Sequence, residues 1–423
     1  MNKLAISLLL LANAISGVAQ GMSMIAIPWY FAQNDALASF VFIYFLTNIV
    51  SFFWVPLSGS IIDKYDRKKV FLALTVIVGS IIGFISFLGF QMGELPLWIV
   101  GFVFVITFLN FNIHYPCLYA FVQEITVKEK YAKMTSILEV IGQFTTIIAG
   151  AGATLLLEGT ENGILNIFGM PFNIGIDVAS WEIHEIFFID GLTYFAAFII
   201  IMAIRYVPVS VRKKEIGSLW KRLKTGFDFL KKEKPVLWFG VLSFTVFVAL
   251  LMEAFYLGVS YVNNHLQESG DVYANSKIMY SVGALLAGIS MRYIFKKMNI
   301  PKAVIILTII TGLIFMTLSQ TNSIYILFAM MLLLGITNAG VRIARITYLF
   351  KVVPNQLFGR VGSVLFLYNI VLRIVLLGIF KMAFFQHLNN IVYAYMITGA
   401  ILFLAALLLI IHYKTFDLSL DTN

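Results

Sequence analysis

Apolar residues occur along the chain in long runs that are separated by short polar segments. Twelve runs have about 20 residues, the length that an α-helix needs to cross about 30 Å of hydrocarbon. The pattern therefore predicts transmembrane helices near residues 4–31, 38–62, 70–90, 96–121, 133–157, 186–207, 236–261, 277–294, 303–319, 323–346, 361–383 and 391–413.

The first apolar run contains Ala12-Asn13-Ala14, which is similar to the cleavage site of a signal peptide. The run continues to Tyr30, which is too long for the apolar core of a signal. We therefore expect the first run to remain in the protein as a membrane span.

The composition agrees with a membrane protein. Hydrophobic residues make up 60% of the 423 residues, charged residues only 12%, and the mean hydropathy is +0.92. A soluble protein has about 25% charged residues. The sequence contains no phosphate-binding G-x-x-x-x-G-K-[ST] loop and no metal-ligand spacing, and its one cysteine, Cys117, excludes an intrachain disulfide. We expect no cofactor, no metal and no catalytic residue.

The Lys and Arg residues predict the orientation of the spans. If both termini lie on one side, 27 of the 30 basic residues fall on that side, all except Lys277, Arg373 and Lys381. Basic loops face the cytoplasm, so both termini are predicted to be cytoplasmic. The net charge of +9 then faces anionic lipids, and we expect membrane lipids rather than nucleic acid as partners.

The chain contains an internal repeat. Residues 123–136 follow the fourth run, residues 350–363 follow the tenth, and both segments end in the pattern aromatic–small–basic–x–x–Ser. Two repeated halves are typical of secondary transporters. We predict an N-terminal six-helix half at 1–207, a cytoplasmic linker with an amphipathic helix at 208–235, a C-terminal six-helix half at 236–413 and a cytoplasmic tail at 414–423. The linker helix is expected to lie on the inner membrane surface.

A dense group of charges lies between the second and third runs. The segment from Gly59 to Lys69 has the spacing G-x-x-x-D-K-x-D-R-K-K, which resembles the loop between helices 2 and 3 of the major facilitator superfamily. The resemblance implies an all-α membrane protein with twelve transmembrane helices in two pseudo-symmetric six-helix halves. It also implies that this loop braces the two halves and gates the transporter. The residues of that brace would be Gly59, Asp63, Lys64, Asp66, Arg67 and Lys68.

Shorter motifs extend the resemblance to a bacterial branch that exports macrolides, other drugs and siderophores. These motifs are His114-Tyr115-Pro116, Ile189-Asp190-Gly191, Gly226-Phe227 with Pro235, and Phe358-Gly359-Arg360-Val361. The resemblance implies a monomeric antiporter of the bacterial plasma (inner) membrane that exports a small amphipathic compound in exchange for protons. The chain departs from the branch at Thr107, where many proton-coupled exporters have an arginine, and at Ala149 to Gly152, which lacks a proline.

Ionisable side chains inside the apolar runs are our candidates for substrate binding and proton coupling, because such residues are costly in a membrane. Glu139, Glu253 and Arg373 are the main ones. The last two form a functional set or a structural pair, or each of them pairs with another residue. Asn110 and His114 add polar atoms near the inner end of the fourth span. These five residues are the candidate set. Asp190, near the outer end of the sixth span, is predicted to be structural.

Other functions fit parts of the same pattern. The sequence does not determine direction, so uptake or facilitated diffusion of a lipid or metabolite without proton coupling is the alternative. An intramembrane enzyme is a remote alternative, since it would leave the two-half repeat unexplained. The external loop at 158–185, with five acidic residues and no basic residue, is expected to be a structural cap, a gate or an interfacial hairpin.

Overall fold

A computed structural model describes residues 3–127, 130–160, 162–206, 219–354, 356–387 and 389–416. Within these ranges, twelve helical segments are long and apolar enough to cross a membrane, judged by length and composition. The twelve predicted spans are therefore confirmed. The chain divides into two compact units, which are Met1–Ile216 with Gly270–Ile278, and Gly217–Ser269 with Met279–Asn423.

Six spans belong to the first unit. They are α1 (Lys3–Gln33), α2 (Leu37–Lys64), α3 (Arg67–Met92), α4 (Leu97–Ile125), α5 (Tyr131–Glu158) and α6 (Ile183–Ala203). Helix α1 packs against α4, α5 and α6, and α3 packs against α4 and α6. Helices α3 and α6 approach closely because Gly79 has no side chain: a Cβ at Gly79 would lie 2.6 Å from the Cβ of Tyr194.

Polar caps and glycines set the ends of these helices. The Asp66 carboxylate accepts a hydrogen bond from the backbone N–H of Lys69 at 2.9 Å and so begins α3. Glu182 and Glu185 form a capping box at the start of α6. Helix α5 ends at Gly159, whose φ of +70° is accessible to glycine at little cost.

The external loop folds into a two-stranded antiparallel hairpin, β1 (Ile164–Ile167) and β2 (Met170–Asn173). The two turn residues, Phe168 and Gly169, both have positive φ angles (55° and 76°), as a tight hairpin turn requires. Asp177 fastens the base of the hairpin, since its Oδ1 accepts a hydrogen bond from the Gly163 N–H at 2.5 Å. A hairpin was one of the predicted forms of this loop, and its role stays a prediction.

The linker contributes α7 (Leu219–Lys232), whereas residues 208–218 of the predicted linker lie outside the described ranges. Gly226 and Leu230 are its buried residues. A Cβ at Gly226 would lie 2.5 Å from the carbonyl oxygen of Arg360, so α7 packs closely on α13 (Phe358–Phe380). Trp220, 79% exposed, lies on an open face of α7. The helix is amphipathic as predicted, but a protein helix covers part of its apolar face.

The remaining spans begin with a segment of mixed helix type, Lys234–Leu266. It consists of α8 (Lys234–Met252), a π-helical stretch Glu253–Leu257, α9 (Gly258–Ser260) and a second π-helical stretch Tyr261–Leu266. It is followed by α10 (Gly270–Lys297), α11 (Ile300–Leu318), α12 (Ile324–Val352), α13, α14 (Ala383–Gln386) and α15 (Ile391–Ile411). Helix α8 packs against α12, α13 and α15, and α11 packs against α12 and α15.

Helices α10 and α12 touch through their backbones. A Cβ at Gly283 would overlap the carbonyl oxygen of Leu332, and one at Gly335 would overlap the carbonyl oxygen of Tyr280. Small residues at such crossings let helices associate in lipid, where apolar side chains gain little from being buried.

The eighth span is longer than the sequence predicted. The apolar run begins at residue 277, whereas α10 begins at Gly270, so Lys277 lies inside the helix and is only 8% exposed. Its ammonium group lies 4.5 Å from the centroid of the Tyr273 ring. The polar start of α10 is stabilised by specific bonds, because Gly270 N–H donates to Glu158 at 2.7 Å and Asn275 donates to the Asn166 carbonyl at 3.4 Å.

Candidate functional site

The charged motif between α2 and α3 is organised mainly by bonds within the first unit. Arg67 forms an ion pair with Glu124 of α4, with 3.0 Å between Nη1 and Oε2. The Lys68 ammonium donates to the carbonyls of Met202 at 3.0 Å and Ile204 at 2.6 Å, at the end of α6. Three helices are thus joined at one edge of the unit.

Asp66 has two partners in this motif. Its Oδ1 caps α3, and its Oδ2 accepts a hydrogen bond from the Tyr206 hydroxyl at 3.3 Å. Burial and the carboxylates of Glu124 and Asp66 raise the pKa of Tyr206, so its hydroxyl remains a donor at neutral pH. Asp66 therefore helps to fix the segment after α6.

Gly59, Asp63 and Lys64 all lie in the last two turns of α2. Lys64 is exposed, and its ammonium group lies 5.4 Å from the centroid of the Tyr65 ring. Asp63 is half-buried. No described residue of its own unit lies within 4 Å of the place that a Cβ would take at Gly59. The brace between the halves stays a prediction.

Glu139 of α5 and His114 of α4 each have a hydrogen-bond partner on another helix. The Tyr119 hydroxyl donates to Glu139 at 2.7 Å, and Glu139 is half-buried. The Nε2 of His114 lies 3.0 Å from Oδ1 of Asn13 in α1, and the ring packs edge-on against Phe71. His114 is 9% exposed, so it is a buried, hydrogen-bonded residue of the helix packing.

Asn110 belongs to a hydrogen-bonded group that joins three helices. Its amide donates to the Tyr194 hydroxyl of α6 at 3.2 Å, and Gln20 of α1 donates to the same hydroxyl. Gln20 and Tyr194 were not among the predicted site residues. The signal was present, since Gln20 interrupts an apolar run and Tyr194 follows Asp190 by one helical turn.

Asp190 is fully buried, and neither of its carboxylate oxygens has a hydrogen-bond partner among the described residues. The hydroxyl of Ser23 in α1 faces the carboxylate without completing a bond of good geometry. A structural carboxylate is normally satisfied by donors. The predicted structural role of Asp190 stays a prediction.

Glu253 lies at the point where α8 changes to a π-helix, and it is 1% exposed. Its carboxylate occupies the space beside Gly258, where a Cβ would overlap Oε1. The wider π-helical turn is closed by a bond from the Gly258 N–H to the Glu253 carbonyl. Single π-helical turns are frequent at functional sites, because they displace side chains from the regular helix register.

Arg373 of α13 is also buried, at 1% exposure. One turn before it, Asn369 is buried, and both polar atoms of its amide have no hydrogen-bond partner within the described ranges. Another buried cation, Arg345 of α12, donates to the Ser243 carbonyl at 3.1 Å and lies 3.7 Å from the centroid of the Phe244 ring. Arg345 therefore lies in the helix packing. The pairing of Arg373 with Glu253 stays a prediction.

The candidate residues thus lie at several different helix contacts. Asn110 and Asp190 lie near the same α1–α6 contact, whereas Glu139 and His114 lie at other contacts of α4. Glu253 and Arg373 belong to the second unit. In the described part of the chain, no group of three or more His, Cys, Asp or Glu side chains has a metal-binding arrangement.

The sequence matches the family model of the Major Facilitator Superfamily over residues 9–377. The chain belongs to this superfamily. The predicted family is therefore confirmed, together with the fold class of twelve helices. Members of the superfamily are secondary transporters, which supports the predicted transporter class over the enzyme alternative.

Curated relatives are distant. Macrolide efflux protein A of Streptococcus pyogenes is 21% identical over 289 residues, which cover 66% of this chain and 65% of the relative. The protein of the same name from Enterococcus faecalis is 22% identical over 245 residues, which cover 56% of this chain and 68% of the relative. The matched stretch is thus just under two thirds of the length of the first of these relatives.

Solved structures share the fold over nearly the full length. The nucleoside transporter NupG has a TM-score of 0.70 at 15% identity, covering 98% of this chain and 100% of its own. A bacterial homologue of the iron transporter ferroportin in an inward-facing state has a TM-score of 0.68 at 14% identity, covering 96% and 98%. At these identities the likeness shows the fold alone.

Proposed function

We propose that the protein is a secondary transporter that exports a small amphipathic compound, of the drug, macrolide or siderophore type, by alternating access. Protons entering through the same protein drive this export. The transporter works as a monomer in a bacterial plasma membrane, with both termini in the cytoplasm.

The similarity to macrolide efflux proteins carries this proposal. It extends over 66% of the chain and agrees with the superfamily assignment over residues 9–377. Alternating access is the mechanism expected of a secondary transporter with two repeated halves.

Acidic side chains within the spans support a cationic or zwitterionic substrate. Glu253 is buried in the seventh span, and Glu139 is half-buried in the fifth, where it accepts a hydrogen bond from the Tyr119 hydroxyl. Acids at such depth are costly, so they are expected to serve binding or coupling. Arg373 would balance the charge of Glu253 when no substrate is bound.

Proton flux in liposomes tests the proposal. The purified protein would be reconstituted with a pH-sensitive dye in the lumen and supplied with macrolides, other amphipathic drugs and siderophores. We expect at least one compound to move in exchange for protons, and protein-free liposomes to show neither movement. Movement of a compound without protons would contradict proton coupling, and movement in the same direction as protons would contradict export.

A matched pair of variants separates transport from non-specific leakage. Glu253→Gln removes a buried charge while keeping its shape, and Asp35→Asn removes the charge of an exposed residue with a φ of 51°, which asparagine also adopts. We expect Asp35→Asn to match the wild type. If both variants match the wild type, Glu253 has no part in coupling.

A further inference from the structure

Hydrogen bonds join helices α1, α4 and α6, and these bonds show which residues of the three helices lie at the same level and in which direction each helix runs. Asn13 of α1 contacts His114 of α4, and seven residues further along α1, Gln20 lies level with Asn110. Residue numbers therefore rise along α1 as they fall along α4. The same holds for α6, where Tyr194 lies level with Gln20 and Asp190 lies level with Ser23.

In one layer of this contact, the polar side chains are hydrogen-bonded to one another. The Tyr194 oxygen accepts from the amides of both Gln20 and Asn110. An oxygen with two lone pairs then has its acceptor capacity filled, and its own O–H remains a donor. This layer fixes the side chain of Tyr194 between the other two helices.

About one helical turn further on, the register places three buried side chains with unpartnered oxygen atoms at the same level of the three helices. Moving three residues along α1 reaches Ser23, three residues back along α4 reaches Thr107, and four residues back along α6 reaches Asp190. Each of these side chains is completely buried, and none of their side-chain oxygens has a hydrogen-bond partner in the described part of the chain. We call these three residues the oxygen layer.

The surroundings of the oxygen layer supply no counter-charge. On α1 its neighbour is the uncharged Gln20, and on α3 the residues that lie against Gly191, next to Asp190, are Gly79 and Gly83. On α6 itself the nearest titratable group is Tyr194. No charged side chain of the described residues lies close enough to act on the Asp190 carboxylate.

An ionised carboxylate in such a place is strongly unfavourable, since it has lost its hydration and gained no donor or cation. Binding one proton removes this penalty. The neutral acid then has an O–H that can donate to a neighbouring hydroxyl oxygen, and Ser23 faces it.

A metal cation suits the oxygen layer less well than a proton does. Hard cations such as Ca²⁺ take six to eight oxygen ligands, and Mg²⁺ requires an octahedron. Asp190 offers two carboxylate oxygens and Ser23 one hydroxyl oxygen, and the described residues contain no cluster of three metal-binding side chains.

We propose that Asp190, in the oxygen layer with the Ser23 hydroxyl facing it, is the group that accepts the coupling proton. In this step the proton adds to one carboxylate oxygen, no other bond breaks, and the neutral carboxylic acid carries the proton during one half of the transport cycle. The inference rests on the proposed function, because it assigns a place to the proton of that exchange.

The test uses Asp190→Asn, which imitates the neutral acid, with Ser23→Ala as a milder second variant and Asp35→Asn as the control. We expect Asp190→Asn to lose substrate-driven proton flux while it keeps exchange of labelled substrate across the liposome membrane at equal concentrations. Ser23→Ala should shift the pH profile of proton flux. A structural role for Asp190 would instead reduce flux and exchange together.

Infrared difference spectra recorded between about pH 6 and pH 9, where water-exposed Asp and Glu side chains stay ionised, provide a readout that needs no substrate. We expect a carboxylic acid C=O band in the wild type and in Asp35→Asn, and its loss in Asp190→Asn. Unchanged proton flux in Asp190→Asn, or a band of undiminished intensity in this variant, would overturn the assignment. If the wild type moves no compound, the proposed function fails, and the infrared band still decides whether Asp190 binds a proton.

A further control addresses other cations. Substrate movement that depends on a sodium gradient and is insensitive to the proton gradient would overturn the proton assignment. If Asp190→Asn does not fold, the pH profile of Ser23→Ala and the wild-type spectra decide the question. An unshifted profile in Ser23→Ala, or the absence of the band in the wild type, would then count against the oxygen layer.

Discussion

The carboxylate of Glu253 lies in the space that a side chain at Gly258 would fill. The two residues are five positions apart and are joined by the π-helical bond from the Gly258 N–H to the Glu253 carbonyl. The Glu253 side chain can therefore adopt this position in the seventh span only because residue 258 is a glycine.

Gly258→Ala is expected to displace Glu253, because the added methyl group would overlap Oε1 and lie 2.8 Å from the Glu253 carbonyl oxygen. Overpacking of this kind costs about 1 to 3 kcal/mol of stability. We expect a lower melting temperature in detergent and reduced substrate-driven proton flux. Gly142→Ala is a suitable control, because a Cβ at Gly142 would meet nothing within 4 Å. Wild-type flux in Gly258→Ala would show that the position of Glu253 is unimportant.

The ion pair of Arg67 and Glu124 is expected to stabilise the first unit. Both side chains are mostly buried, with 16% and 11% exposure, so removing one partner leaves the other charge poorly solvated. A double-mutant cycle of Arg67→Gln and Glu124→Gln should give a coupling energy of about 1 to 3 kcal/mol in thermal unfolding. Additive effects of the two substitutions would mean that the pair contributes no coupling.

Lys68 and Lys64 provide a matched comparison within the charged motif. Lys68 donates to two carbonyls at the end of α6, whereas Lys64 is exposed and lies near the Tyr65 ring. Hydrogen bonds from charged donors contribute about 1.5 to 3 kcal/mol. We expect Lys68→Met to lower the melting temperature and to increase hydrogen exchange at the end of α6, and Lys64→Met to change neither. Equal effects of the two substitutions would contradict this role.

The backbone contact between α10 and α12 predicts a steep response to one added methyl group. Gly283→Ala would bring a Cβ into the carbonyl oxygen of Leu332, whereas a Cβ at Gly288 of the same helix would meet nothing within 4 Å. We expect Gly283→Ala to destabilise the protein by about 1 to 3 kcal/mol in thermal unfolding, because the helices must move apart. Gly288→Ala should be neutral or slightly stabilising, since alanine favours helix. A neutral Gly283→Ala would show that the two helices separate easily.

Much of the candidate site was visible in the sequence as residue types out of place. Glu139, Glu253, Arg373 and Asp190 are ionisable residues in apolar runs, and such residues can be identified without a structure. Their partners could not be identified in this way. Gln20 and Tyr194 are separated by 174 positions along the chain, so only the packing of α1 on α6 brings them together.

The sequence by itself determined the number of spans, the family and the position of the charged motif. These features follow from hydropathy and spacing along the chain, which a membrane converts directly into helices. The tertiary structure decided where α10 begins, since the bonds of Gly270 and Asn275 compensate for polar residues that break the apolar run. It also decided which buried oxygens are bonded and which are not, because that depends on the register of three helices that are far apart in the chain.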